Sequence, residues 1–355
     1  GARAKAVGLV LLLAGGFCGG IFTTLLPLSG WAWEAKWGAY SLFSFVLLPW
    51  AWLLCTVRSL GAVYAAAPPA ALAACLGFGF LWGCGSQLFG LGVDALGNSL
   101  GFAIILGLTA TLGSVVPLVL QHPQEAGSPK GCCNFAALGL TVAGLVLCAW
   151  AGRMKEVALA APAAKTEGLP GSKLPPGRSS FAFGLVVCLL SGVFSPCLNF
   201  AVTFGSSIKD RAQVIGGASE TMAANAVAAL AVSAGSVPNL CYCAYLLRRQ
   251  GTWKALVPFS GQAGQQLLSL LVCLAMGILW FAGFAMYGMA VDLLGSLGAV
   301  VGWPLYINCM IITANVSGIA TGEWRGSPST AKGVMAGGLI ALCIAVAVIG
   351  YSNSL

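Results

Sequence analysis

The chain has 355 residues, 59% of them hydrophobic and only 7% charged, with a formal net charge of +8. A soluble domain carries about 25% charged residues, so this composition excludes a soluble globular fold and points to a multi-span integral membrane protein. The positive balance implies no nucleic-acid partner, because the Lys and Arg sit in short loops between apolar runs, where they orient spans in a lipid bilayer.

A spanning helix needs about 20 predominantly apolar residues. Ten such segments are expected, at 6–28, 38–57, 69–92, 98–120, 132–151, 181–204, 222–247, 263–288, 294–317 and 331–351. The long polar stretch Arg153–Ser180, rich in Pro, Gly, Lys and Ser, reads as a linker. The expected organisation is a first five-helix half over 1–152, a polar linker over 153–180 and a second half over 181–355. Five is odd, so the second half enters the membrane from the opposite side. The expected fold class is all-α and polytopic, ten transmembrane helices arranged as a 5+5 inverted repeat.

Internal similarity supports the duplication. Gly79–Gly97 reads GFLWGCGSQLFGLGVDALG and Gly277–Gly295 reads GILWFAGFAMYGMAVDLLG, with Gly, Leu-Trp and Val-Asp recurring at a constant offset of 198. Gly8-Leu9-Val10 matches Gly184-Leu185-Val186, and Gly16 matches Gly192, at an offset of 176. The shared glycines read as helix-packing positions, and Trp82 and Trp280 as bundle filling. Chemistry is expected where the copies differ, as at Gln87 against Ala285. With the N-terminus on side one, eleven Lys and Arg fall on side two and six on side one. By the positive-inside rule both termini then face the non-cytoplasmic side, of a plasma (inner) membrane or of an organelle membrane such as that of a plastid.

The 14 Cys are scattered through apolar runs and read as small hydrophobes. No metal site, disulfide framework or cofactor is expected, and no Ser/His/Asp or Cys/His constellation suggests an enzyme.

Polar groups inside spans are the candidates for solute contact. On the sixth segment, Ser191, Ser195 and Asn199 fall at i, i+4 and i+8, and Pro196 kinks the helix and frees a carbonyl. On the ninth, Trp303, Tyr306, Met310 and Thr313 share one face, while Asn308 and Asn315 share the other. Gln87 lies mid-helix in the third. Aromatic faces beside amides and hydroxyls suit a sugar, whose C–H surfaces stack and whose hydroxyls need directional partners. Substrate candidates are therefore Gln87, Ser195, Asn199, Trp303, Tyr306 and Asn308. The competing reading makes Trp303 an interfacial anchor and the Asn pair inter-helix amide bonds.

Several blocks in order resemble the L-rhamnose–proton symporter family of the drug/metabolite transporter superfamily. They are Gly16-Phe17-Cys18-Gly19-Gly20; Trp31-Ala32-Trp33-Glu34 with Trp37 and Leu48-Pro49-Trp50; Trp82-Gly83-Cys84-Gly85 with Gly90 and Leu96-Gly97; Ala151-Gly152-Arg153-Met154-Lys155-Glu156; Gly184-Leu185-Val186 through Gly192-Val193-Phe194-Ser195; and Gly322-Glu323-Trp324-Arg325. The resemblance implies the ten-helix fold and proton-driven uptake of a deoxysugar.

Proton coupling requires a titratable group, and none sits at the centre of an expected span. Glu220, Asp94 and Asp292 at span ends are the candidates. For Asp94 and Asp292 the alternative is capping of the next helix. Glu34 and Glu323 are expected to stay solvated beside interfacial Trp, and His122 to lie in a polar turn. The function expected is secondary transport of a rhamnose-like monosaccharide or similar small polar solute by alternating access. The alternative is a non-transporting structural subunit of a larger organellar or photosynthetic membrane complex that keeps the transporter fold. Partners beyond lipid, solute and protons are left open between a homodimer and a membrane complex.

Overall fold

The computed structural model describes residues 2–352 apart from 97, 122, 167–180, 257–262, 296–297 and 323. His122, Glu323 and most of the expected linker thus lie outside the described residues, within which no strand occurs. The helix α1 (Ala2–Ile21) continues as a 3-10 helix, Phe22–Leu28. Then α2 (Trp33–Leu42) passes through a π-helical turn, Phe43–Leu47, into α3 (Leu48–Thr56). Short α4 (Leu60–Ala65), long α5 (Pro69–Leu96) and α6 (Asn98–Gln121), short α7 (Pro123–Ala126) and long α8 (Pro129–Thr166) complete the first part. The second comprises α9 (Phe181–Phe194), α10 (Cys197–Phe204), α11 (Ser206–Val214), α12 (Glu220–Gln250), a 3-10 helix Thr252–Leu256, α13 (Ala263–Leu294), α14 (Gly298–Ala320) and α15 (Ser329–Ser352).

Among the described residues, eight helical stretches are long and apolar enough to cross a membrane: Arg3–Leu28, Trp33–Thr56, Pro69–Gly92, Pro129–Lys155, Ala182–Phe204, Glu220–Gln250, Ala263–Leu294 and Ser329–Ile349. The helices α6 and α14, of 24 and 23 residues, occupy the places of the other two expected spans. The chain is an all-α polytopic membrane protein. One boundary moves: α8 runs to Thr166, so the start of the polar stretch Arg153–Ser180 is helical. Its Met-Lys-Glu and Ala-rich run is dominated by strong helix formers, which carry the helix through Pro162 despite its polarity.

Two prolines shape the spans. Pro49 has no N–H, so the carbonyl of Phe45, four residues earlier, loses its helical donor. The backbone widens into the π turn there, and Ser233 Oγ of α12 donates to Phe45 O at 3.3 Å while accepting from Trp50 Nε1 at 2.8 Å. Pro196 likewise divides the sixth expected span: α9 stops at Phe194 and α10 resumes at Cys197, with Ser195 in the break.

Lipid tails are as apolar as Leu, so spans associate through close packing and inter-helix hydrogen bonds rather than the hydrophobic effect. Here α1 packs on α13 and α14, α9 on α5 and α6, and α8 on α15. A Cβ on Gly16 would come 2.3 Å from Cys309 Cβ and 3.1 Å from Tyr306 O; one on Gly192 would come 2.7 Å from Leu108 Cβ and 3.2 Å from Ile105 O. Gly15 abuts the backbone of Gly283, and Ser191 Oγ donates to Gly85 O at 2.9 Å.

Candidate functional site

A cavity of about 140 Å³ lies where α1, α2, α5, α6, α10, α13 and α14 converge. Its wall is mostly aromatic. Trp37 and Tyr40 come from α2, Phe45 from the π turn, Trp82 and Phe89 from α5, Trp280 and Phe284 from α13, and Trp303 and Tyr306 from α14. The Pro49-induced π turn therefore has a local consequence: it seats Phe45 edge-on against both Trp82 and Trp280, each at 4.9 Å between ring centroids. Trp82 and Trp280 stack on each other at 5.4 Å and 26°. These are the matching tryptophans of the two repeat copies. They fill the bundle as expected, both buried in its core, and in addition line the cavity, because the two copies meet beside it.

The polar share of the wall is small. Thr23, Ser86, Thr109 and Ser195 contribute hydroxyls, and Tyr40 and Tyr306 their phenols. Thr109 Oγ1 donates to Ile105 O at 2.7 Å, and Ser86 Oγ to Asn239 Oδ1 at 3.3 Å. The hydroxyls of Thr23, Ser195 and Tyr306, and the indole N–H groups of Trp82 and Trp280, have no hydrogen-bond partner among the described residues.

The predicted substrate residues divide into two sets. Ser195, Trp303 and Tyr306 line the cavity. Gln87, Asn199 and Asn308 stand outside the lining and make inter-helix bonds. Gln87 Nε2 donates to Asn239 Oδ1 at 2.8 Å, Asn199 Nδ2 to Gly113 O at 2.6 Å, and Asn308 Nδ2 to Thr141 Oγ1 at 2.8 Å. Tyr287 Oη donates to Asn199 Oδ1. Trp303 combines the two roles, since its Nε1 donates to Thr109 O at 2.9 Å. That indole presses on Gly113, where a Cβ would come 2.1 Å from it.

Asn239, which sequence reasoning missed, is the hub of this layer. Its Oδ1 accepts from Trp37 Nε1 at 3.0 Å as well as from Ser86 and Gln87, and its Nδ2 donates to Gly83 O at 3.1 Å and Gly235 O at 2.9 Å. It fixes two wall residues, Trp37 and Ser86, without touching the cavity. The available signal was an amide beside Pro238 in the middle of a 31-residue helix.

The ionisable candidates lie at the helix ends. Glu220 opens α12 in its first turn and is exposed, where its charge complements the helix dipole. Asp94 lies in the last turn of α5, with its side chain outside the described residues. Asp292, near the end of α13, pairs with Lys209 of α11 at 2.5 Å, its side chain 5% exposed. Glu34, expected to be solvated, is 4% exposed. It folds under the 3-10 segment after α12 and accepts from Thr252 Oγ1, which supplies the hydrogen bond that water would have given.

Comparison with known proteins shows the family of the chain. Residues 2–354 match the family of the L-rhamnose-proton symport protein (RhaT). The chain is 23% identical over 322 residues to an L-rhamnose-proton symporter of Yersinia pestis (strain Pestoides F), covering 90% of each chain. It is 25% identical over 328 residues to the L-rhamnose-proton symporter of Pectobacterium atrosepticum, again covering 90% of each. The family is one of transporters rather than enzymes.

Proposed function

The chain belongs to the L-rhamnose-proton symport family, and on that premise we propose that it is a proton-coupled secondary transporter of a small sugar, with the aromatic cavity as its solute site. The observation that carries this reading is the cavity wall itself. Two stacked indoles and two neighbouring rings offer apolar faces for the C–H surface and methyl group of a deoxysugar. The unpaired hydroxyls of Thr23, Ser195 and Tyr306 offer directional partners for its hydroxyls. Ser195, Trp303 and Tyr306 face the solute in this reading; Gln87, Asn199 and Asn308 hold the helices that present them.

The ten-span, 5+5 inverted arrangement belongs to the same proposal. It is supported by contacts that occur twice: Gly16 on Cys309 and Tyr306 against Gly192 on Leu108 and Ile105, and Gly15 on Gly283 against Ser191 on Gly85. Rocking of the halves about a site between them gives alternating access. The loop charges support both termini on the non-cytoplasmic side. A structural subunit without transport activity is not favoured: its proper sign would be a filled centre, and here the centre holds a lined cavity.

Uptake of labelled L-rhamnose into proteoliposomes, with and without an inward pH gradient, tests the reading. Gradient-stimulated uptake is expected. Absence of uptake for L-rhamnose and every other monosaccharide under both conditions overturns it.

A further inference from the structure

Resting on the proton-coupled reading above, we propose that Asp292 is the proton-binding carboxylate and that its pair with Lys209 is a latch between α13 and the α10–α11 segment, released on protonation. Three observations converge on it. First, the pair is enclosed. The Asp292 side chain is 5% exposed and that of Lys209 25%. Second, only one carboxylate oxygen is satisfied among the described residues: Oδ1 takes the Lys209 bond, while Oδ2 is buried with no hydrogen-bond partner among them. A buried, unpaired carboxylate oxygen is costly as an anion and is a natural place for a proton. Third, the pair sits on the helix that builds the cavity. Along α13, Trp280 and Phe284 line the wall, Tyr287 stacks on Phe284, and Asp292 follows in the next turns.

The same two segments are tied a second time. Tyr287 of α13 donates to Asn199 of α10, and Asn199 in turn holds Gly113 of α6. This tie is neutral and indifferent to pH. The Lys209 tie requires an ionised Asp292. The charged and titratable groups facing Asp292 are Lys209 and Asp210 on α11, Glu220 on α12 and Tyr287 on its own helix. Arg3 and Lys5 stand at the same end on α1, whose Gly8 touches Leu293 and Leu294. Asp210 and Glu220 carry the same sign of charge as an ionised Asp292, and Lys209 the opposite sign. A proton from water binds Oδ2, the carboxyl becomes neutral, and Lys209 keeps its own proton and turns to Asp210, Glu220 or water. Two ties become one, and the α10–α11 segment is released at that end of the bundle. Glu34, also buried, accepts from the hydroxyl of Thr252 and has no ion pair among the described residues, so protonation there breaks none among them.

The experiment compares wild type, Asp292→Asn, Lys209→Gln and Glu34→Gln in proteoliposomes. It reads counterflow of L-rhamnose, which needs no net proton movement, and accumulation driven by a gradient of about one pH unit, which for one proton per solute supports at most about tenfold concentration. Wild type and Glu34→Gln are expected to accumulate. Asp292→Asn is expected to fall to a ratio of about one while keeping counterflow within about twofold, because only coupling is lost. Accumulation by Asp292→Asn, or its loss in Glu34→Gln alone, overturns the assignment. Hydrogen exchange of the amides of Ser206–Val214 gives a readout independent of the solute. Protection corrected for intrinsic rates should fall with pH in wild type, and Asp292→Asn and Lys209→Gln should show the low-pH value throughout. If wild type moves no L-rhamnose the transport reading falls separately; pH-independent protection in wild type overturns the latch.

Discussion

The cavity wall and the amide layer behind it divide the polar chemistry of this membrane protein unequally. The wall is ring upon ring, with a few hydroxyls. The layer behind it holds the strong hydrogen-bonding groups, and Gln87, Asn199, Asn239 and Asn308 all bond helix to helix. In hydrocarbon an amide without a partner is costly, and a neighbouring helix is a permanent partner while a solute is a transient one. The strongest polar groups therefore hold the scaffold, and the surface left facing the cavity, the proposed solute site, is aromatic with a few hydroxyls. Residues behind the wall should thus govern stability, and residues on it affinity.

The sharpest break of that division is at Asn239. Its replacement by Leu removes five hydrogen bonds, and at the modest worth of such bonds in membranes this costs about 3 kcal/mol. The thermal midpoint in detergent should fall clearly, and a midpoint unchanged from wild type would remove Asn239 from the scaffold. Next is Gly16→Ala, whose new methyl collides with Cys309. Overpacking of this kind costs about 2 kcal/mol, and a second change, Cys309→Gly, should restore much of the midpoint. On the wall, Ser195→Ala or Tyr306→Phe should each lower L-rhamnose affinity by about 1 kcal/mol, roughly fivefold, with the midpoint unmoved. A shifted midpoint with unchanged affinity would place either residue in the scaffold. The smallest effect is expected for Asn308→Leu, which loses one bond to Thr141 and about 0.6 kcal/mol, without altering solute affinity.

The membrane class, and the regions of eight spans, were legible because some 20-residue apolar runs in a chain this poor in charge have one stable environment. Ser195 was legible as well, since Pro196 announces a break and a broken helix exposes what lies beside it. The difference between Trp303 and Asn308 was not. Both lie on α14, and which face meets a cavity and which meets α8 depends on helix rotation, which a span that is apolar all round does not encode. Asn239 was hidden for the same reason. Trp82 and Trp280 were visible as a repeat and as filling, but not as cavity wall, because sequence identity between copies does not reveal that the copies meet. Glu34 looked interfacial, and only the 3-10 segment after α12 shows what covers it.

The central claim is that the aromatic cavity binds a monosaccharide. Calorimetric titration of the purified protein with L-rhamnose tests it most directly. Saturable binding at one site per chain is predicted for the wild type, weakened by at least about tenfold in the Ser195→Ala, Tyr306→Phe double variant at an unchanged thermal midpoint. Binding of equal strength in that variant, or no binding of L-rhamnose or any other monosaccharide by the wild type, would contradict the account.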